Sequence, residues 1–254
     1  MDAFGLLCSN NPAMRSSPTF SPLYRQIKRL LIDALEAGEW RPGHLIPSEQ
    51  ELAGRFGVSQ GTVRKAIDEL AAENLLIRRQ GKGTFVASHQ DPRELFRFLR
   101  LLPLEGELAT PESVPLDCRH ERAGAEAARM LGIAQGDPVI ILCRVLRFEG
   151  NPVVIDEIYL PGAVFQGLTL ALLQAWGSSL YSLFETRFGV RMIRARESIR
   201  AVAADRAAAD MLQVEVGKPL LSVERTTYTY GDRPAEWRRG LYLTDAHFYM
   251  NELN

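Results

Sequence analysis

The sequence has little of what marks several protein classes. Among its 254 residues are three cysteines, Cys8, Cys118 and Cys143, with no C-x-x-C pair. That spacing predicts neither a disulfide framework nor a cysteine zinc site, and the thiols read as buried or idle. No stretch reaches the roughly 18 consecutive apolar residues of a membrane helix. Met1 to Pro12 carries Asp2 and no basic residue ahead of its short apolar patch, so no secretory signal is readable, and a cytoplasmic protein with no membrane partner is expected. His44, His89, His120 and His247 lie scattered without H-x-x-x-H spacing, which predicts no metal site. Gly177-Ser178-Ser179-Leu180 lacks the second glycine of a nucleophile elbow. Gly81-Lys82-Gly83-Thr84 is not a phosphate loop, because that motif needs glycine where Leu76 stands and a hydroxyl where Gly83 stands. No catalytic residue and no cofactor is expected.

An excess of charge of one sign is also missing, since the net charge is −1. A hydrophobic share of 46% against 24% charged residues is the balance of a chain that buries a core, in one large domain or two ordinary ones. The charge is unevenly placed: residues 1–90 hold 11 basic and 9 acidic side chains, and residues 91–254 hold 19 and 22. Between Gly54 and Phe85, Arg55, Arg64, Lys65, Arg78, Arg79 and Lys82 face only Asp68, Glu69 and Glu73. A local basic footprint on a neutral protein points to nucleic acid.

Residues 1–20, rich in Asn, Ser and Pro, read as a flexible arm. A helix is expected from Ser21-Pro22, with Ser21 as cap, carrying Ile27, Leu30, Leu31, Ala34 and Leu35 on one face and stopping at Gly38. Ser48-Glu49-Gln50-Glu51 has the form of a capping box opening a short helix that Gly57 ends. Ser59 then caps a second helix with Val63, Ile67 and Leu70 on its apolar stripe. Two short helices about a glycine turn make a helix-turn-helix candidate. Past Asn74, the run Leu75 to Arg79, a glycine turn and Thr84-Phe85-Val86 read as a hairpin with a basic tip.

Prolines 92, 103, 111 and 115 mark residues 88–115 as a linker, with a helix expected over Arg93 to Leu102. Beyond it, a shift of 81 residues superposes Met130, Leu131, Gly136, Pro138, Arg144 and Gly150 on Met211, Leu212, Gly217, Pro219, Arg225 and Gly231. Each copy reads as an Ala-rich helix, a turn, a strand, a hairpin and a return strand. Two copies are too few for a solenoid, so they are expected to form halves of one α+β domain sharing a sheet, with a helical insert over Ala171 to Phe188.

Leu23-Tyr24, Gly38-Glu39-Trp40-x-Pro42-Gly43, Leu45-Ile46-Pro47-Ser48-Glu49, Leu52-Ala53-x-x-Phe56-Gly57-Val58-Ser59, Thr62-Val63-Arg64-x-Ala66 and Arg78 to Val86 together resemble the winged helix-turn-helix of GntR-type bacterial transcription regulators. Pro152 to Pro161, Gly177 to Glu185, Arg194 to Glu197 and Pro234 to Asp245 resemble the UTRA effector-binding domain of the family's HutC branch. The resemblance implies an α+β protein: a winged helix-turn-helix over 21–87, the linker over 88–115 and a chorismate-lyase-like, mixed α/β effector-binding and dimerisation domain over 116–254.

The function so implied is a homodimeric repressor on a palindromic double-stranded DNA operator, modulated by a small anionic effector. DNA contacts fall to Ser48, Gln50, Arg55, Ser59, Gln60, Gly61, Thr62, Arg64 and Lys65 around the helices, and to Arg79, Gln80, Gly81, Lys82 and Gly83 on the wing. Relatives commonly carry Arg where Gln50 and Gln60 stand. Glutamine pairs with adenine rather than guanine, so an unusual operator is expected. For Ser48 the capping role is the stronger reading, and for Arg64 both a base and a phosphate contact stay open.

Effector contacts carried over by the resemblance are Arg144, Asp156, Ser179, Tyr181, Glu236 and Tyr242. Leu146 stands where sugar-phosphate-binding relatives have a second Arg, and Asp156 replaces their Glu. One clamp arginine predicts a smaller or less charged anion than a sugar phosphate. Arg144 and Asp156 also read as a structural ion pair across the hairpin. The rival from another class is an enzyme with chorismate-lyase-like chemistry, against which the basic recognition helix weighs; a fused aminotransferase does not fit the length.

Overall fold

The computed structural model describes residues 21–91, 98–106 and 109–251, so the arm over 1–20 lies outside the described residues. Helix α1 runs Leu23–Glu36, α2 Glu49–Phe56 and α3 Gln60–Ala72, followed by strands β1, Leu76–Arg79, and β2, Gly83–Val86. The cap of α1 differs from expectation. Pro22, not Ser21, occupies the N-cap position, and the side chain of Gln26 donates to the Ser21 carbonyl at 2.8 Å. Ile27, Leu31 and Leu35 of α1 pack with Leu52 of α2 and with Val63, Ile67 and Leu70 of α3. Burying each such side chain contributes about 1.5–3 kcal/mol, and Leu45 bridges to Phe85 beside the β1–β2 hairpin.

The rest is built on a six-stranded antiparallel sheet in the order β4-β5-β6-β9-β8-β7. Its strands are β4, Glu112–Arg122; β5, Pro138–Phe148; β6, Asn151–Pro161; β7, Arg194–Ala203; β8, Pro219–Tyr228; and β9, Pro234–Tyr242. Helices α4, Ala125–Leu131, and α7, Arg206–Leu212, precede β5 and β8. The expected repeat is therefore a pseudo-twofold arrangement, each half contributing strand, helix and hairpin, with β6 and β9 meeting at the centre. The insert forms α5, Leu170–Ala175, and α6, Leu180–Phe188. Phe165, Leu168, Leu183 and Phe184 pack there against Ile140, Leu142, Ile158 and Leu160 of the sheet. The α+β class expected from the sequence is the class observed.

The linker assignment over 88–115 needs correction. Ser88 and His89 are buried, strand β3, Leu101–Pro103, pairs with β10, His247–Tyr249, and β4 already begins at Glu112. Proline marked irregular chain here, but Leu101 still packs in a core cluster with Leu146 and Val154. Half of the helix expected over 93–102, positions 93–97, falls outside the described residues, and its last two positions begin β3. Cys118 and Cys143 are unbridged and half-buried. Among the described residues, no helix is long and apolar enough to cross a membrane.

Candidate DNA interface and effector cavity

The helix-turn-helix is built by the local signals in its sequence. Ser48 Oγ accepts from the Glu51 backbone N–H at 3.2 Å while the Glu51 carboxylate accepts from the Ser48 N–H at 2.8 Å. Gly57 ends α2 in the left-handed conformation at φ 65°, and Ser59 Oγ accepts from the Thr62 N–H at 3.2 Å. Val63, Ala66, Ile67 and Leu70 are buried, so Gln60, Gly61, Arg64 and Lys65 stand exposed on the other side of α3. At the wing tip Gln80, Gly81, Lys82 and Gly83 are exposed. Gly83, at φ 104°, sits so close to Leu45 that an added Cβ would lie 2.6 Å from its Cδ1.

The structure divides the basic candidates. Arg55 is held by Glu39 and lies over the rings of Trp40 and Phe56, and the Lys65 ammonium sits 4.0 Å from the Tyr24 ring centroid. Arg79 stacks on Phe85 and meets Asp91 at 3.2 Å. Gln60 and Arg64 instead converge on the Glu49 carboxylate, joined by Arg78 from β1. Gln50 is exposed on the first turn of α2. In the sequence Arg78 stands out only as part of the basic run, and Glu49 has no signal of its own beside the Ser48–Glu51 capping box.

In the C-terminal domain a cavity of about 420 Å³, within the range of small-molecule sites, is lined by Ser113 of β4, Arg144 and Leu146 of β5, Gly177 to Tyr181 at the start of α6, and Arg225 and Arg238. Ser179 caps α6, its Oγ accepting from the Ser182 N–H at 3.2 Å. The unsatisfied N–H groups of a helix start favour an anion.

Behind the wall the sheet register sets the charges side by side. Arg144 faces Asp156 across the β5–β6 hairpin, and Arg238, Arg225 and Glu197 stand in one row across β9, β8 and β7. One Asp156 oxygen accepts from Arg144 Nε at 2.9 Å and Arg238 NH1 at 3.0 Å. Glu236 accepts from Arg238 Nε at 2.7 Å and the Tyr181 hydroxyl at 3.2 Å, and Arg225 Nε meets Glu197 at 2.5 Å. Burial pushes the Asp156 carboxyl up, but Arg238 and Arg144 outweigh it and hold the acid below the usual carboxylate range. Burial raises the Tyr242 hydroxyl to about 12.

Of the six expected effector residues, Arg144, Ser179 and Tyr181 line the cavity, while Asp156, Glu236 and Tyr242 lie behind it. The Arg144–Asp156 ion pair is present as well. A single clamp arginine is a correction: three guanidiniums border the cavity. Arg225 was marked by the repeat, as the counterpart of Arg144, whereas Arg238 had no sequence signal because only the pairing of β9 with β6 brings it to Asp156. Two buried carboxylates, Asp156 and Glu236, and the partly buried Glu197 face the three guanidiniums, so this wall is close to neutral.

Among the described residues, several polar links join the domains, including Arg233 to Glu36 of α1. Glu185, near the end of α6, accepts from the Ser88 hydroxyl and from the His89 N–H at 3.1 Å. Arg191 donates to the Asn74 carbonyl.

Comparison with known proteins agrees with both halves. Residues 23–86 match the family described as bacterial regulatory proteins, gntR family, and residues 109–247 match the UTRA domain. A protein of Escherichia coli named for transcriptional repression of a fructoselysine utilization operon is 34% identical over 84% of this chain and 86% of its own length. The histidine utilization repressor of Pseudomonas putida is 30% identical over 89% of this chain and 90% of its own. The crystal structure of the ligand-binding domain of a regulator assigned to the GntR family, from Bordetella bronchiseptica, is 54% identical with a TM-score of 0.60, covering 61% of this chain and 96% of that one. These relatives are regulators, so the enzyme reading gives way. The chain therefore belongs to the GntR family of bacterial regulatory proteins, in its UTRA-bearing HutC branch, and is a DNA-binding transcription regulator.

Proposed function

We propose that the protein is a cytoplasmic repressor that acts as a homodimer on a palindromic operator and responds to a small anionic metabolite held in the cavity beside Arg144. Symmetric half-sites suit a symmetric dimer, with consecutive major grooves about 34 Å apart. Relatives named for repression of fructoselysine and histidine utilization support repression as the sign of regulation.

The observation that carries the effector reading is the placement of α6. Its first turn lines the cavity and its last turn grips Ser88 and His89, where the chain leaves the winged helix. Nine residues at 1.5 Å each make it a strut of about 13 Å. An anion at its N-terminus thus acts on an element that also holds the route to the DNA-binding domain, which is the differential contact that coupling requires. The near-neutral wall favours a ligand of low charge, such as a monocarboxylate.

A thermal-shift screen of small carboxylates and phosphates tests the reading, since a ligand at 100 times its Kd stabilises by about 2.7 kcal/mol. A hit must also change binding to the protein's own upstream DNA in a gel shift. Sedimentation showing monomers at micromolar concentration, with and without DNA, would overturn the dimer.

A further inference from the structure

A surface that meets phosphates gains nothing in general affinity from a carboxylate, yet Glu49 stands in the middle of this one with its side chain 14% exposed. The cap does not need it, because the box is made by Ser48 and Glu51. One Glu49 oxygen accepts from Arg64 Nε at 2.9 Å, from Arg64 NH2 at 2.8 Å and from the Gln60 amide at 3.3 Å. The other accepts at 2.9 Å from Arg78, which is braced in turn by Asp68 at 2.7 Å. Burial raises the Glu49 carboxyl, but hydrogen bonds from Arg64 and Arg78 outweigh it, so the acid stays ionised at neutral pH.

The donor arithmetic gives this arrangement a purpose. A guanidinium carries five N–H groups in a rigid plane. Glu49 occupies the edge made by Nε and NH2 of Arg64, and what remains uncommitted is the terminal fork of NH1 and the second NH2 hydrogen. That fork is the part that pairs with guanine O6 and N7. Gln60 gives one amide hydrogen to Glu49 and keeps the other, together with its carbonyl oxygen, the two groups that pair with adenine N7 and N6. We propose that Glu49 is a specificity-determining positioning residue, fixing Arg64 for a two-bond contact to guanine and Gln60 for adenine while lowering affinity for DNA of any sequence. The proposal rests on the reading that α3 lies in the major groove.

The test uses the full-length protein and its Glu49→Gln, Glu49→Ala, Gln60→Ala and Arg64→Ala variants, with the Glu49→Ala/Arg64→Ala double variant. Half-sites are selected from random duplex DNA, and binding to selected and scrambled duplexes is titrated across salt, with thermal melts confirming that each variant folds. Without Glu49, Arg64 is expected to turn to a phosphate. Scrambled DNA then binds more tightly, the slope of log affinity against log salt steepens by about 0.9, and preference for guanine at one half-site position falls by about tenfold or more. In the Arg64→Ala background, Glu49→Ala should change nothing further at that position. If the Glu49 variants select the wild-type half-site and alter affinity uniformly, or if loss of guanine preference persists without Arg64, the proposal fails. If Arg64→Ala and Gln60→Ala leave selection and affinity untouched, the placement of α3 itself is wrong.

Discussion

Arg191, 1% exposed within the C-terminal domain, reaches across to the winged helix and donates to the backbone carbonyl of Asn74 at 2.7 Å. Asn74 holds the left-handed conformation, φ 58°, between the end of α3 and the start of β1. Arg191 also faces Glu185 of α6 at 3.8 Å. The helix that borders the cavity and the helix that carries Gln60 and Arg64 are thus linked through one buried side chain, and Ile193 and Tyr230 extend the contact by packing on the winged-helix core.

Arg191→Met should loosen this junction without altering either domain's own core. Removing one partner of a buried ion pair costs about 3–5 kcal/mol. Calorimetry is expected to show one cooperative transition for the wild type and two for the variant. A single transition in both would mean that the remaining contacts, Glu185 on Ser88 and His89, Arg233 on Glu36 and the apolar packing of Ile193 and Tyr230, couple the domains without Arg191.

Arg144→Ala should abolish the response to an anion found by thermal shift while leaving ligand-free DNA affinity within about threefold, because coupling needs a differential contact and the removed guanidinium supplies it. The variant should also melt earlier, since Asp156 retains Arg238 alone of its two partners. DNA release at the wild-type ligand concentration would place the site elsewhere.

The arginine-lowered pKa of Asp156 gives the C-terminal domain an acid limb. Its arginine-held carboxylate contributes stability that is complete above the unfolded value of about 3.9 and is lost as pH falls through the lower folded value. Asp156→Asn, which leaves Arg144 and Arg238 with one acid fewer, should lower stability at neutral pH and flatten the decline below about pH 4. Urea melts from pH 3 to 7 decide it; an unchanged acid slope would assign the limb to other carboxylates.

Gln60→Arg should move the preferred base at one position of each half-site from adenine toward guanine, a difference worth about 1–3 kcal/mol for a well-made pair. Arginine here would also sit beside Glu49, which already accepts from the Gln60 amide and from Arg64. Selection from random DNA reads the outcome, and recovery of the same half-site by both proteins would show that Gln60 does not read a base.

The elements whose causes are local were legible. The Ser48–Glu51 capping box, the Gly57 turn and the Ser59 cap each follow from chemistry within four residues, and each is found. The repeat also foretold the sheet, because equal hairpins with equal apolar patterns fold alike. The bounds of the linker were misread because proline and low periodicity mark irregular chain, not exposure, and Ser88 and His89 are irregular and buried.

By itself, then, the sequence determined the secondary structure of the winged helix, the doubled hairpin of the C-terminal domain and the family, since hydrophobic period and capping chemistry act over a few residues. Beyond the Arg144–Asp156 pair of one hairpin, tertiary structure decided which charges meet. Arg238 reaches Asp156 across 82 positions, Arg64 reaches Glu49 across 15 and Arg191 reaches Asn74 across 117. Electrostatic pairing depends on separation in space, and strand order and helix packing set that separation only once the chain has folded.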